Sequence, residues 1–457
     1  MKNIKTRKEK DSLGSVEIPV DAYYGAQTER ARQNFTDSGL RLPSVFIRSL
    51  ATIKRFAAAA NRDLQLLDSK TADIIMTAAQ EVTDGKFDDA FVVDLFQTGS
   101  GTSTNMNMNE VIASRANELL TGKKSGRSPV HPNDHVNLGQ SSNDVIPSVI
   151  HVAGLTSINN ELNPALEKLQ TTLMQKASEF AGIRKIGRTH LQDAVPIYLG
   201  DEFGGYARQV ALSIKRIENA SENLRELPLG GTAVGNGLNT HPKFADCVIQ
   251  MLSAHLKIDF SEAAHPFEAQ SARDAAVEMS GALKTTAVSL TKIANDIRWL
   301  ASGPRCGLGE IRIPSLQPGS SIMPGKVNPV IPESVLQIAA QVMGNDLTIT
   351  LAGQGGNFEL NVMMPVMAYN LLQSISILSI GARSLAEKCI QGIRADVEKC
   401  TFYVDKSLAL ATYLVPQLGY DKAAAVSKKA HVSGKRIADV VLEEGIMTQK
   451  ELDKLIR

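Results

Sequence analysis

Tryptophan occurs once and cysteine four times in 457 residues. Cys247, Cys306, Cys389 and Cys400 are widely spaced apart from the last two, and none forms a CxxC pair. That spacing argues against a zinc cage or a disulfide scaffold and fits a reducing compartment. A basic excess is also missing: 49 Lys and Arg stand against 48 Asp and Glu, a formal net charge of +1. Nothing in that balance holds a nucleic-acid backbone or an anionic membrane, so basic clusters must act locally. No stretch reaches the roughly 18 consecutive apolar residues that cross a bilayer. The N-terminal MKNIKTRKEKDSLG is charged with no apolar run behind it, and Glu9 and Asp11 count against a transit peptide. A cytoplasmic protein is expected, with neither nucleic acid nor membrane as partner.

What is present is an ordinary globular composition, 43% apolar and 21% charged. The length exceeds what one compact core usually serves, so two or three domains are expected. Residues 1–139 mix a short strand at Val16–Pro19 with helices over Leu50–Leu66 and Lys70–Val82. Residues 140–395 carry long segments poor in glycine and proline: Val149–Ala181, Ile197–Glu226, Ser271–Leu300, Glu333–Ala352 and Val366–Gly392. Apolar residues recur there at three- and four-residue spacing, which predicts a long-helix bundle. The stretch Asp274–Ala301 is apolar nearly all round, so burial on every side and a homo-oligomer are expected. Residues 396–457 predict shorter helices, Asp405–Val415, Lys422–Ser433, Ile437–Glu443 and Gln449–Arg457, punctuated by Gly419, Gly434 and Gly445.

Four polar, glycine-bearing segments interrupt this pattern, and all are rich in donors to anionic oxygens. In TGSGTSTNMNMN (98–109), Gly99 and Gly101 allow close backbone approach and Ser100, Thr102, Ser103, Thr104 and Asn105 add donors. A helix starting nearby and running through Glu110–Leu120 would turn its N-terminus toward an anion; a capped turn is the plainer alternative. In HPNDHVNLGQSSND (131–144), the set His131, Asp134 and His135 lacks a third strong ligand in metal-site spacing, so no metal is expected. Ser141, Ser142 and Asn143 suit a carboxylate, although Ser142, Asn143 or Asp144 could equally be an N-cap. In GRTHLQDAVP (187–196), His190 sits between Thr189 and a possible cap, Asp193; a lone histidine acts in catalysis only if a carboxylate orients it. In PGSSIMPGKVNP (318–329), a lysine follows glycine, but Val327 breaks the P-loop order. A mobile loop closing over a small anion fits better.

Together and in this order, the four segments resemble the fumarase/aspartase superfamily, whose signature loop is close to GSSIMPGKVNP. The resemblance runs from KDSLGSVEIPVDAYYGAQTERA (10–31) to GYDKAAAVSKKAH (419–431). Within the superfamily, THLQDA with His190, HPNDH and Gly325 resemble class II fumarases more than aspartases, as does LGGTAVGNGLNTHP (229–242). VIPE (330–333) departs toward the aspartases but retains Glu333. The resemblance implies a mostly α, three-domain fold with a twenty-helix core in a homotetramer, and active sites shared by three subunits. It implies reversible hydration of fumarate to (S)-malate through an aci-carboxylate, without metal or cofactor. An aspartate ammonia-lyase is the alternative, and a non-enzymatic structural relative is weaker still. By resemblance Ser320 takes the C3 proton, and His190 with Glu333 handles the hydroxyl. Lys326 and Asn328, with Ser100, Gly101, Thr102, Ser141, Ser142, Asn143, Thr189 and Ser321, bind substrate. His131, Pro132, Asn133 and Asp134 match a second dicarboxylate site.

Overall fold

The computed structural model describes residues 5–35 and 37–456. The first four residues of the charged N-terminal stretch, and Arg457 at the end of the last expected helix, lie outside the described residues. The fold is mostly α, as the periodicity predicts. Long helices span Leu199–Asn223, Asp274–Leu300, Val330–Gly353 and Met364–Ser384. The strands among the described residues form two-stranded pairs only.

Two of the expected long helices are interrupted by π-helical turns. The helix expected from Val149 begins earlier, at Ser142, and is interrupted by a π-helical turn at Ile158–Leu162 before resuming over Asn163–Glu179. Pro164, which has no N–H to donate, sits where the helix restarts. Met364–Ser384 is followed by a second π-helical turn, Leu385–Cys389. By average hydropathy the run Met364–Gly392 is long and apolar enough to cross a membrane, although no strictly apolar stretch does so. Of its most apolar window 61% is buried inside the protein, as in a core helix.

The chain divides into two compact units. The first comprises residues 1–164, 213–287 and 339–379. Its centre is the helix Ser44–Asp63, whose Phe46, Ile47, Leu50, Ile53, Ala57 and Ala60 form one buried stripe. This helix packs against Ser69–Thr83, Ser142–Ser157 and Phe244–Leu256. Each fully buried Leu or Ile contributes roughly 1.5–3 kcal/mol. Gly25 explains part of the YYGAQTER motif: the Glu110 carboxylate accepts from the amides of Gly25, Gln27 and Thr28 at 2.9–3.0 Å. A Cβ at Gly25 would meet that carboxylate at 2.8 Å.

The second unit comprises residues 165–212, 288–338 and 380–457. It contains a hairpin, Arg184–Thr189 with Gln192–Tyr198, packed on the helix Val397–Lys406. Its last segments share a core of Leu410, Leu414, Val426, Ile437, Val441 and Leu452. The helix expected over Asp405–Val415 is replaced by Val397–Lys406 and a 3-10 stretch, Leu408–Leu414, because Ser407 turns the chain and caps Ala409 N.

Within a single chain the helix Asp274–Leu300 is only partly covered. Ala276, Met279, Leu283, Leu290, Ile293 and Ile297 are buried, whereas Val288 and Trp299 are 52% and 53% exposed. One chain covers only one face of it.

Candidate functional site

Two of the four polar segments, 98–109 and 131–144, lie in the first unit, and the structure brings them together. The helix expected to start near this segment and run through Glu110–Leu120 begins at Thr102, directly after the glycines, and ends at Thr121. Gly101 is its N-cap, with φ +73, and offers no capping side chain. A left-handed backbone is cheap for glycine alone, and a Cβ there would also press Ile146 at 3.0 Å. Gly99 is stricter still: a Cβ would stand 1.7 Å from Val362 O. Ser100 and Thr102 exchange a hydroxyl hydrogen bond of 2.7 Å. The first i→i−4 bond is Asn105 N to Gly101 O at 3.0 Å, so the amides of Thr102 and Ser103 precede the ladder.

Asn105 is the bridge between segments. Its Nδ2 donates to Ser142 Oγ at 2.9 Å and to Asn137 Oδ1 at 3.3 Å. Ser141, rather than Ser142, Asn143 or Asp144, is the N-cap of Ser142–Ser157, and Asp144 completes a capping box by accepting from Ser141 N at 2.9 Å. The other Asp144 oxygen accepts from Gly230 N at 3.1 Å and Thr232 N at 3.0 Å. Asn143 Nδ2 donates to Ala233 O at 2.9 Å. The glycine-rich segment 229–242 is therefore a structural support for Ser141–Asn143. Burial pushes the Asp144 carboxyl up to about 6 against the pull of those backbone amides.

Lys54 is a residue that sequence reasoning missed. It lies on the buried stripe of Ser44–Asp63, fully covered, and its Nζ donates to Asn137 Oδ1 at 2.8 Å and Gln140 Oε1 at 2.9 Å. Burial pushes it down to about 7. A lysine on an otherwise apolar helical stripe was the available signal.

His131 and its neighbours form a π-helical turn over Pro132–Val136. Its Nδ1 lies 3.2 Å and 3.1 Å from the amides of Asn133 and Asp134, and its Nε2 lies 2.9 Å from Arg127 Nε. One neutral ring cannot accept at both nitrogens, so a single tautomer satisfies one side at a time. Burial holds its pKa below the usual histidine value. Asp134 lies 3.3 Å from Nδ1 and is largely exposed, and Pro132 is buried.

The other two segments lie in the second unit. The segment at His190, expected as a loop between helices, is a hairpin. His190 and Leu191, at φ +54 and +58, form its two-residue turn between the paired Thr189 and Gln192. Left-handed conformation at both central positions matches the twist of the flanking strands, and holding it with two non-glycine residues stores strain. Gly187 lies at a register shift, where a Cβ would meet Val195 O at 2.8 Å. Asp193 pairs opposite Arg188 and caps no helix. Below the tip, Arg188 grips the fully buried Glu310 with both Nη atoms at 2.9 and 3.0 Å. Lys185, 1% exposed, reaches Glu202 at 2.8 Å and Glu310 at 3.4 Å. This ion network anchors the exposed tip that bears Thr189 and His190. Among the described residues no carboxylate stands within ion-pair distance of His190, and Glu333 lies half-buried in the first turn of Val330–Gly353.

The signature loop is closed at its neck. Gly319 N donates to Lys326 O at 2.7 Å, and Asn328 Nδ2 donates to Gly319 O at 2.7 Å. A side chain at Gly319 would meet Lys326 O at 2.6 Å. Gly325, at φ +80, makes the return turn. Ser320 Oγ accepts from the amides of Ile322 at 3.2 Å and Met323 at 3.0 Å. Ser321 and Lys326 are exposed, and Asn328 is half-buried.

Residues 14–344 match the family model described as lyase, and residues 410–457 match that of the fumarase C C-terminus. The class II fumarate hydratase of Thermosynechococcus vestitus is 52% identical, covering 99% of this chain and 97% of its own. That of Neisseria meningitidis is also 52% identical, covering 99% and 98%. An aspartate ammonia-lyase from a Bacillus species is 48% identical over 99% and 97%. A solved class II fumarase from Schistosoma mansoni aligns with a TM-score of 0.96 at 40% identity, covering 99% and 98%.

Proposed function

Because the chain belongs to the class II fumarate hydratases of the fumarase/aspartase superfamily, we propose a set of residue roles for its reaction. The chain is a lyase, a carbon–oxygen hydro-lyase (EC 4.2.1.2), that interconverts the dicarboxylates fumarate and (S)-malate, a step of the tricarboxylic acid cycle. The aspartate-deaminating reading is weaker: His190, HPNDH and Gly325 follow the hydratase pattern.

In the malate-to-fumarate direction a base removes the C3 proton, and the electron pair moves into the adjacent carboxylate. That pair then returns to form the C2–C3 double bond as the C2–O bond breaks, and the leaving hydroxyl takes a proton, giving water. Ser320 is the proposed base. The observation that carries this assignment is the pair of backbone amides aimed at Ser320 Oγ, at 3.2 and 3.0 Å. Two N–H donors favour an oxyanion over a neutral hydroxyl, which a serine base requires. Lys326 supplies charge for the aci-carboxylate. Asn328 spends part of its amide on closing the loop and offers its remaining donor capacity to the same oxygens. Ser321 and Thr189 add hydroxyl donors. Ser100, Gly101, Thr102, Ser141, Ser142 and Asn143 bind the other carboxylate, through hydroxyls, an amide side chain and the first turn of Thr102–Thr121.

His190 protonates the departing hydroxyl, with Glu333 favouring the imidazolium. These two do not pair within one chain, among the described residues, which supports a site completed by neighbouring subunits. The exposed apolar residues of the long helices support the same assembly, a homotetramer with sites shared among three subunits. His131, Pro132, Asn133 and Asp134 are proposed as a second dicarboxylate site, and the cytoplasm as the working compartment.

Ser320→Ala and His190→Asn test these roles. Each should lower kcat by roughly 100- to 10,000-fold, read from fumarate absorbance with malate as substrate, while circular dichroism stays unchanged. Near-normal turnover in either variant removes that residue from its role.

A further inference from the structure

A fully buried lysine usually pairs with a carboxylate, because an ammonium taken out of water needs compensation. The two hydrogen-bond acceptors of Lys54 are amides instead: Asn137 Oδ1 at 2.8 Å and Gln140 Oε1 at 2.9 Å. Asp144 acts on it only through its charge, and its own oxygens are occupied by the amides of Ser141, Gly230 and Thr232. For stability alone, methionine would fill the same stripe at lower cost. The position of its acceptors suggests what the lysine does.

Both acceptors belong to the stretch that ends in Ser141, Ser142 and Asn143. Asn137 Oδ1 is a meeting point, reached also by Asn105 Nδ2 at 3.3 Å and Asn109 Nδ2 at 3.2 Å. Asn137 Nδ2 closes the stretch on itself by donating to Gln140 O at 3.1 Å. Gln140 Nε2 does likewise toward Val136 O and Leu138 O, at 3.1 and 3.2 Å. The second proton of Asn105 Nδ2 goes to Ser142 Oγ at 2.9 Å. Since that oxygen already accepts, the Ser142 hydroxyl proton is left to donate elsewhere. One continuous path therefore joins Lys54 through Asn137 and Asn105 to Ser142, and a shorter one joins Lys54 through Gln140 to Ser141.

We propose that Lys54 is a positioning residue for substrate binding, holding residues 137–143 so that Ser141, Ser142 and Asn143 present their donors to a substrate carboxylate. Lys54 does not touch the substrate. The proposal rests on the reading that those three residues bind a carboxylate, and Asn143→Ala tests that reading separately.

The experiment compares Lys54→Met, Gln140→Leu and Asn143→Ala in the full-length protein by fumarate hydration kinetics and amide hydrogen exchange. Lys54→Met should raise KM about tenfold with kcat within about threefold of the parent. It should also speed exchange at residues 137–143 while Thr102–Thr121 stays protected. A folded Lys54→Met protein with parental KM, or one whose loss lies in kcat alone, overturns the proposal while a raised KM in Asn143→Ala keeps the carboxylate reading. Parental KM in Asn143→Ala overturns that reading and the proposal with it. Should Lys54→Met fail to fold, Gln140→Leu decides. Raised KM with faster loop exchange supports the proposal, and unchanged values for both overturn it.

Discussion

His151 shows how a buried histidine can contribute to the acid limit of a protein. Its Nδ1 lies 2.9 Å from Glu226 O, and its Nε2 is buried with no hydrogen-bond partner among the described residues. It borders a cavity of about 400 Å³ that also takes in the buried Arg273 and the carboxylates of Glu226, Glu268, Asp274 and Glu278. Burial first, and the Arg273 charge second, push the histidine down to about 3 from an ordinary 6.5. The unfolded chain therefore binds a proton below pH 6.5 that the folded chain refuses. Stability from this group is complete above 6.5 and lost as pH falls toward 3, at up to about 1.4 kcal/mol per pH unit. His151→Gln should flatten the acid limb of the stability curve, read as urea midpoints at pH 4.5, 5.5 and 7. An acid limb as steep as the parent's would show that other groups govern it.

Elements carry the proposed catalytic side chains through supports that are themselves buried. The hairpin Arg184–Thr189/Gln192–Tyr198 ends in a strained turn, and its register is held from below by Arg188, Lys185 and Glu310. Taking away one member of a buried pair leaves an uncompensated charge and costs about 3–5 kcal/mol. Glu310→Gln should therefore lower the free energy of unfolding by an amount of that order in urea titration. It should also lower hydration activity, because the tip that bears His190 loses its anchor. Parental stability would show that Lys185 and Arg188 find other partners. The helix Thr102–Thr121 is supported differently. Gly99 lets the chain leading into its first turn approach the Val362 carbonyl, where any side chain would collide, and Gly101 leaves room for the Ile146 side chain.

For the whole molecule, the long helices pose one question. Val288 and Trp299 on Asp274–Leu300, Leu347 and Leu351 on Val330–Gly353, and Ile380 on Met364–Ser384 are all more than half exposed in a single chain. Leaving such surface in water forgoes roughly 25 cal/mol for each Å² that could be covered. Copies of the chain are the natural cover, because a symmetric assembly presents equivalent apolar faces to one another. Light scattering should give about four times the monomer mass of 49.2 kDa. The double substitution Leu347→Glu, Leu351→Glu should dissociate the assembly and lower activity strongly, since His190 and Glu333 find no partner in one another within a chain. Full activity in a monomer would refute the shared site.

The sequence by itself determined the helical character, most helix spans and the family. Each depends on residues near one another in the chain: three- and four-residue apolar spacing, and the ordered letters of GSSIMPGKVNP. Local order likewise made Ser320 and Lys326 conspicuous. Tertiary structure alone decided what holds these residues in place. Lys54 meets Asn137 and Gln140 across 83 and 86 positions, Arg188 meets Glu310 across 122, and Asp144 meets Thr232 across 88. No periodicity encodes such pairings, because they form only when a buried charge or amide must find a partner in whatever segment the packing brings beside it. The turn at His190 escaped for a related reason: a two-residue left-handed turn without glycine has no local signature, and its strain is borne by surrounding structure, here the paired strands and the buried ion network below it.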